Sequence, residues 1–149
     1  MSLFRIFITV LVGCVLVSNG SAEEGSLSFT DQGKGYFGFN TGFVKGTIYA
    51  NDKNQSLNSL IDIDSGMELA HGGDYPGLYS PYRVFSDGKR YGDAMRDWPL
   101  QATILTDGAL QIRWPSQEET PFEIVTISRW RSPHVMDYEI AVTPMLDVH

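Results

Sequence analysis

The stretch "LTDGALQIRW", residues 105–114, decides the fold class. Its Asp107-Gly108 dipeptide accepts the positive φ angles of a type I′ turn, and apolar residues alternate with polar ones on both sides of it. We therefore predict that residues 101–106 pair antiparallel with residues 109–114. Successive side chains of a strand point to opposite faces. The predicted core face of the second strand consists of Leu110, Ile112 and Trp114.

Two further hairpins are predicted on either side of this one. Residues 121–130 and 135–143 are rich in β-branched and aromatic residues and are separated by "RSPH". Pro133 fits a turn because it fixes φ and donates no hydrogen bond to a strand ladder. Upstream, Asp87-Gly88 joins residues 83–86 with residues 89–91. Three successive hairpins predict an antiparallel meander.

The N-terminal part reads as shorter strands separated by turns rich in glycine, asparagine, aspartate and serine. No stretch sustains a helical apolar period with a capping residue. Many short strands spaced by about ten residues are typical of a β-sandwich. We predict an all-β fold, an antiparallel β-sandwich with almost no helix. The additional predicted strands cover residues 27–30, 36–39, 44–50, 60–63 and 67–69.

The first residues have the pattern of a signal peptide. Arg5 is the only charged residue before Glu23, and an almost entirely apolar run follows it, shorter than the roughly 20 residues of a membrane span. The run ends in "SNGSA", whose small residues predict cleavage after Ala22. We expect a signal peptide over residues 1–22, a single β-sandwich domain over residues 23–149, and a secreted or periplasmic protein.

A second interpretation of the leader involves Cys14. The sequence "LVGC" at residues 11–14 fits a lipoprotein box, which would anchor the mature protein to a lipid through this cysteine. The apolar run continues beyond Cys14, however, which favours plain secretion. Cleavage after Ala22 would remove the chain's one cysteine, so the mature protein would depend on its core and not on disulfides.

The charge of the chain excludes one class of partner. Its formal net charge is -7, and removal of Arg5 with the leader would make it -8. Nucleic-acid binding requires a basic footprint, so we expect no nucleic-acid partner. We also expect no integral membrane segment after signal cleavage.

The candidate ligand-binding residues lie in a long connection between strands. "GGDYPGLYSPYRVF", residues 72–85, and the nearby "RYGDAMRDW", residues 90–98, place aromatic rings beside arginines and aspartates. Rings stack on the apolar faces of sugars, and charged side chains bind hydroxyl groups in pairs. The alternative is that these residues cover the core and tie loops together. The candidate residues are Tyr75, Tyr79, Tyr82, Arg83, Arg96, Asp97 and Trp98.

The sequence predicts no catalytic residue, metal site or cofactor. Asp62 and Asp64 have the spacing that begins a calcium loop, but the glutamate that would complete the loop is absent. His71, His134 and His149 have neither zinc-ligand spacing nor an evident carboxylate partner.

A family resemblance covers residues 66–144. The succession "GLYSPYRVFSDGKRYGDAMRDWP", "DGALQIRWP" and "PFEIVTISRWRSPHVMDYEIAVTP" resembles the N-terminal half of uncharacterised exported bacterial proteins related to the galactose mutarotase-like β-supersandwich. The resemblance implies a partial supersandwich and a sugar ligand. Mutarotases use a histidine acid and a glutamate base near the end of a longer domain, and no residue of this chain matches that pair.

These observations predict an exported carbohydrate-binding protein without independent catalysis. One alternative is a partial sugar-active enzyme, a mutarotase, epimerase or lyase, whose catalytic residues lie outside this chain. Another is a structural or interaction protein of the cell envelope. We also expect homo-oligomers if the strand at residues 135–143 presents an exposed edge.

Overall fold

The computed structural model describes residues 4–11, 25–51, 55–71, 78–86, 88–92 and 94–145, with only the backbone of residues 4–11. This part of the chain contains strands, turns and a single short 3-10 helix at Met95–Asp97. The strands are β1 (Phe4–Leu11), β2 (Ser26–Asp31), β3 (Tyr36–Asn40), β4 (Val44–Tyr49), β5 (Ser56–Asp62), β6 (Glu68–His71), β7 (Val84–Ser86), β8 (Lys89–Tyr91), β9 (Gln101–Ile104), β10 (Leu110–Trp114), β11 (Phe122–Ser132) and β12 (Val135–Pro144).

The strands form two five-stranded antiparallel sheets and one two-stranded sheet. The first sheet has the order β1-β12-β11-β10-β9, and the second has the order β2-β3-β4-β5-β6. Strands β9 to β12 are consecutive neighbours, as the meander prediction requires. The hairpin β7–β8 does not continue that sheet but stands alone. The segment after β8 turns inward to bury Met95 and Trp98 and so separates the hairpin from β9.

The two large sheets enclose one apolar core, which confirms the predicted β-sandwich. Leu110, Ile112 and Trp114 are buried on the same face of β10, as their alternation predicts. From the opposite sheet, the ring of Phe39 reaches that of Trp130, with 5.0 Å between the ring centroids. Burial of large aromatic side chains between the sheets stabilises the fold through the hydrophobic effect.

The turn at Asp107-Gly108 differs from the predicted type I′ turn. Gly108 has a φ of 81°, whereas Asp107 is not among the residues with positive φ. The amide of Gly108 donates to the carbonyl of Leu105, and the amide of Leu105 donates to the carbonyl of Ala109. This is a three-residue loop with glycine in the left-handed position. The Asp107 carboxylate accepts a hydrogen bond from the backbone amide of Ala109 and thereby stabilises the loop.

Strand β5 begins earlier than its sequence pattern predicts, at Ser56 instead of residue 60. The pairing of β4 with β5 shifts register between Thr47 and Ile48, which marks a bulge. A bulge breaks the two-residue alternation of side chains. The polar residues at the start of β5 therefore do not look like a strand in the sequence, although Leu57 is buried.

Strand β1 consists of residues that also belong to the predicted signal peptide. It pairs antiparallel with β12 over eight residue pairs, from Phe4 opposite Val142 to Leu11 opposite Val135. Cys14 and the predicted cleavage site after Ala22 lie outside the described residues. Within the described residues, no helix is long and apolar enough to span a membrane.

Candidate functional site

An open cleft lies beside the short 3-10 helix, at one end of the sandwich. Its volume is about 300 Å³. It combines three carboxylates, two further polar side chains, an indole, a proline and a glycine. The residues that line it are Gly92, Asp97, Trp98, Pro99, Gln117, Glu118, Glu119 and Thr120.

One wall of the cleft is the loop between β10 and β11. The amide of Gln117 donates to the carbonyl of Thr120 at 3.0 Å, and the amide of Thr120 donates back at 3.1 Å. These two bonds close a tight turn with Glu118 and Glu119 at its tip, and both side chains are exposed. Thr120 is buried at the base of the turn. The carboxylates therefore stand on a constrained backbone.

The opposite wall is the 3-10 helix and the residues after it. The amide of Trp98 donates to the carbonyl of Met95, and both side chains are buried in the core. Trp98 is only 5 % exposed, so its indole can contribute an edge to the cleft but not an open stacking face. Asp97 is half-exposed, and its carboxylate lies 3.8 Å from the guanidinium of Arg96.

Gly92 closes the cleft where the two walls meet. Its φ is 59°, a conformation that residues with a side chain rarely adopt. A Cβ at this position would lie 2.7 Å from Cγ2 of Thr120 and 3.3 Å from Nε1 of Trp98. The close approach of the backbone to these side chains thus requires glycine.

Basic side chains act on Tyr82, the residue that precedes Arg83 in the segment before β7. Nη2 of Arg83 donates a hydrogen bond to the Tyr82 hydroxyl at 3.1 Å, and its guanidinium carbon lies 4.7 Å from the centroid of the ring. The hydrogen bond from Arg83 and the charges of Arg83, Arg96 and Arg90 lower the pKa of Tyr82. Tyr82 is 50 % exposed. We call Tyr82, Arg83, Arg90 and Arg96 the arginine cluster.

A backbone hydrogen bond connects the arginine cluster to the cleft. The amide of Met95 donates to the carbonyl of Tyr82 at 3.0 Å. This bond holds Tyr82 against the start of the 3-10 helix. The two residues that follow Met95 in the helix are Arg96, which belongs to the arginine cluster, and Asp97, which lines the cleft. The two features are therefore neighbouring parts of one surface.

Tyr79 has a supporting position. Its ring packs on that of Tyr138, with centroids 4.9 Å apart, and its carbonyl accepts the Tyr138 hydroxyl at 3.1 Å. Partial burial raises the pKa of Tyr79. Its φ of 65° is unusual for a bulky residue and is maintained by these contacts.

The structure thus brings together some of the residues that the sequence suggested. Tyr82, Arg83, Arg96 and Asp97 lie on the surface just described, whereas Tyr79 and Trp98 pack inward. Tyr75 lies outside the described residues. Sequence reasoning missed the cleft wall formed by the loop after β10. The sequence feature that could have indicated this wall is the polar run "SQEET", residues 116–120. The run lies between two strands, and a proline stands next to each strand.

The calcium and histidine alternatives concern Asp62, Asp64 and the three histidines. The described residues contain no group of three or more metal-ligating side chains arranged around a common point. Asp62 instead accepts hydrogen bonds from the hydroxyl and amide of Ser65, which lower its pKa. The ring of His134 packs edge-on against Phe43, 4.1 Å away between centroids. The side chain of His71 and the whole of His149 lie outside the described part.

Comparison with known proteins adds no relative. No protein-family model matches the chain, and neither a curated protein nor a solved structure shows significant similarity to it. The fold and site define an all-β sandwich protein with an acidic surface cleft beside a cluster of arginines.

Proposed function

We propose that this chain is an exported carbohydrate-binding protein that acts without catalysis of its own, and that the cleft is its binding site. The observation that carries the proposal is the composition of the cleft, which places Asp97, Gln117, Glu118 and Glu119 around a small open volume. About 300 Å³ is at the lower end of the range for ligand pockets. This size suits one sugar residue of a longer chain.

The cleft has the chemistry that recognition of sugar hydroxyl groups needs. Each carboxylate accepts hydrogen bonds through two oxygens, and the Gln117 amide both donates and accepts. Hydrogen bonds to charged groups are stronger than bonds between neutral ones. Pro99 and the indole edge of Trp98 offer apolar contact to sugar C–H groups. The exposed ring of Tyr82 lies on the same surface and can stack on a neighbouring sugar residue.

The alternative of a partial sugar-active enzyme has one feature in its favour. Asp97, Glu118 and Glu119 are carboxylates, which can act as acids, bases or nucleophiles. The eight cleft residues include no histidine, so the acid–base pair that the mutarotase resemblance implies cannot be assembled from them. Conversion of a bound oligosaccharide by this chain alone would favour the enzyme over the binding protein.

Calorimetric titration with a panel of oligosaccharides tests the proposal. The double variant Glu118→Gln/Glu119→Gln keeps the side-chain shapes but removes both charges. Charged hydrogen bonds are worth about 1.5–3 kcal/mol, so we expect affinity to fall by about tenfold or more. The control variant is Glu68→Gln on β6. The glutamine side chain keeps an oxygen that can accept the hydrogen bond donated by the backbone amide of Leu60. Undiminished binding by the double variant, or binding of no glycan by the parent chain, would contradict the proposal.

The proposal of export rests on the pattern of residues 1–22. N-terminal sequencing of the protein released by its host provides the test, and we expect Glu23 as the first residue. A lipid-modified Cys14 at the N-terminus would instead establish membrane anchoring.

A further inference from the structure

The arginine cluster is an unusual feature on this protein because the chain as a whole is acidic, with a formal net charge of -7. Arg83, Arg90 and Arg96 all act electrostatically on the same tyrosine, Tyr82. They come from three different local elements, the segment before β7, the strand β8 and the 3-10 helix. Arg83 contacts Tyr82 directly, and the backbone bond between Met95 and Tyr82 keeps the next residue, Arg96, near it, so the fold brings arginines together on a chain of negative net charge.

Two of these guanidinium groups have capacity for a ligand. Arg83 lies against the exposed ring of Tyr82 and uses Nη2 for the Tyr82 hydroxyl. A guanidinium group has five N–H donors in a fixed planar arrangement, so Arg83 can donate elsewhere while this bond persists. Arg96 has a solvent-exposed pair with Asp97, at a separation of 3.8 Å. Exposed pairs of this kind contribute little, so a ligand anion can replace Asp97 at low cost.

We infer that the arginine cluster is an anion subsite, which selects acidic sugars, those with a carboxylate or sulfate group, over neutral ones. This inference rests on the proposed carbohydrate binding and specifies its ligand class. The anionic group lies between Arg83 and Arg96 and accepts forked hydrogen bonds, the geometry for which arginine is suited. The sugar ring that carries the anionic group stacks on Tyr82. The next sugar residue of the oligosaccharide occupies the cleft.

The position of the cluster explains why an acidic protein can bind an acidic polymer. Its net charge repels a polyanion at long range, but salt screens that repulsion beyond about 8–10 Å. Direct contacts with the guanidinium groups act within that distance. The carboxylates of the cleft then receive hydroxyl groups, so one ligand must present both an anion and hydroxyls in a defined order.

The experiment compares two matched probes, a neutral oligosaccharide that carries one terminal galacturonate residue and the same oligosaccharide with that carboxyl group methyl-esterified. Calorimetry measures the affinity of the full chain and of Arg83→Gln and Arg96→Gln. Lys45→Gln is the control variant. It removes one positive charge from an exposed position on β4, which is outside the arginine cluster. Thermal denaturation verifies that all three variants remain folded. A capped peptide with a single glutamate provides the comparison with a protein carboxylate of equal charge.

We expect the acidic oligomer to bind about tenfold tighter than its ester. Each arginine substitution should remove most of this preference, whereas Lys45→Gln should behave as the parent chain. Equal affinity for acid and ester, persistence of the preference in both arginine variants, or equally tight binding of the glutamate peptide would overturn the anion subsite. In the first two cases the proposed function survives. If neither oligomer nor any neutral glycan binds, the proposed function itself fails.

Discussion

The hydroxyl of Tyr138 donates a hydrogen bond to the backbone carbonyl of Tyr79, with 3.1 Å between the two oxygens. Tyr138 belongs to β12, whereas Tyr79 belongs to the connection that leads to Tyr82 and Arg83. The bond fixes this connection to the sandwich although Tyr79 has a φ of 65°. The position of the arginine cluster thus depends on a contact made in the partly buried layer beneath it.

The first prediction concerns stability at alkaline pH. Burial raises the pKa of Tyr138 to about 12, above the value of about 10 for an exposed tyrosine. The folded state therefore retains a proton that the unfolded state has lost, and stability falls as the pH rises from about 10 to 12. Linkage sets this loss at about 2–3 kcal/mol. Urea unfolding at a series of pH values measures it.

Tyr138→Phe separates this effect from the titration of other groups. The variant should be less stable at neutral pH by about 1 kcal/mol, the usual value of one hydrogen bond. Its stability should then depend less on pH in the alkaline range than that of the parent chain. Parallel pH dependences in the two proteins would show that Tyr138 is not the responsible group.

The second prediction compares two glycines with similar backbone conformations. Gly92 and Gly88 have φ angles of 59° and 74°, and a Cβ would be crowded at Gly92 but would have no neighbour within 4 Å at Gly88. Alanine at either position incurs the left-handed conformational cost of about 1–2 kcal/mol. Gly92→Ala should cost about 1–3 kcal/mol more, because Thr120 or Trp98 must move. Denaturant unfolding measures both changes, and equal costs would refute the close packing at Gly92.

The third prediction concerns Trp98, which the sequence suggests as a stacking residue. Because its indole is buried, Trp98→Ala should reduce the free energy of unfolding by about 3–5 kcal/mol. A melting temperature within error of the parent value would mean that the indole is exposed in solution. Loss of glycan binding in a destabilised Trp98 variant carries no information on stacking, so binding is better tested at Glu118 and Glu119.

The fourth prediction concerns the edge of β12. In the full chain β1 covers this edge with eight residue pairs, and a chain that begins at Glu23 lacks β1. Exposed strand edges recruit other strands, so we expect the shorter chain to self-associate more strongly. Analytical ultracentrifugation of both chains over a range of concentrations provides the comparison.

A variant with a charged residue introduced at the same edge of β12 is the control for self-association. Ala141 lies opposite Arg5 in the β1–β12 ladder. Lysine is a residue that proteins use to block edges, so Ala141→Lys in the shorter chain should reduce its association. A strictly monomeric shorter chain at high concentration would argue against an available edge.

Most of the strands were predictable because their signals are local, whereas β1 was not, since its apolar run after the start of the chain also fits a signal peptide. Alternation around Gly108 and in β11 identifies the meander without any knowledge of long-range contacts. The bulge in β5 was not predictable, because it depends on the register between β4 and β5 and not on the sequence of either one. The dipeptide at residues 87–88 predicts the hairpin β7–β8, but the separation of this hairpin from the main sheet depends on the burial of Met95 and Trp98.

The site was predictable only in part. Tyr82, Arg83, Arg96 and Asp97 were suggested because aromatic and charged residues cluster in the sequence there. Residue type does not reveal that Trp98 points inward, since an indole serves equally well as a core residue and as a stacking platform. The contact of Gly92 with Thr120 links positions far apart in the chain, so no local pattern indicates the cleft wall at Gln117, Glu118 and Glu119.

The most direct test of carbohydrate binding at the cleft uses the indole N–H resonances of the three tryptophans, Trp98, Trp114 and Trp130. Trp98 lines the cleft, whereas Trp114 and Trp130 are buried between the sheets. In ¹⁵N-correlated NMR spectra recorded while an oligosaccharide is added, we expect the Trp98 indole and the backbone amides of residues 117–120 to shift together and to saturate. The indole signals of Trp114 and Trp130 should remain in place. Saturable binding with no change at Trp98 or at residues 117–120, or no spectral change with any glycan, would contradict the account.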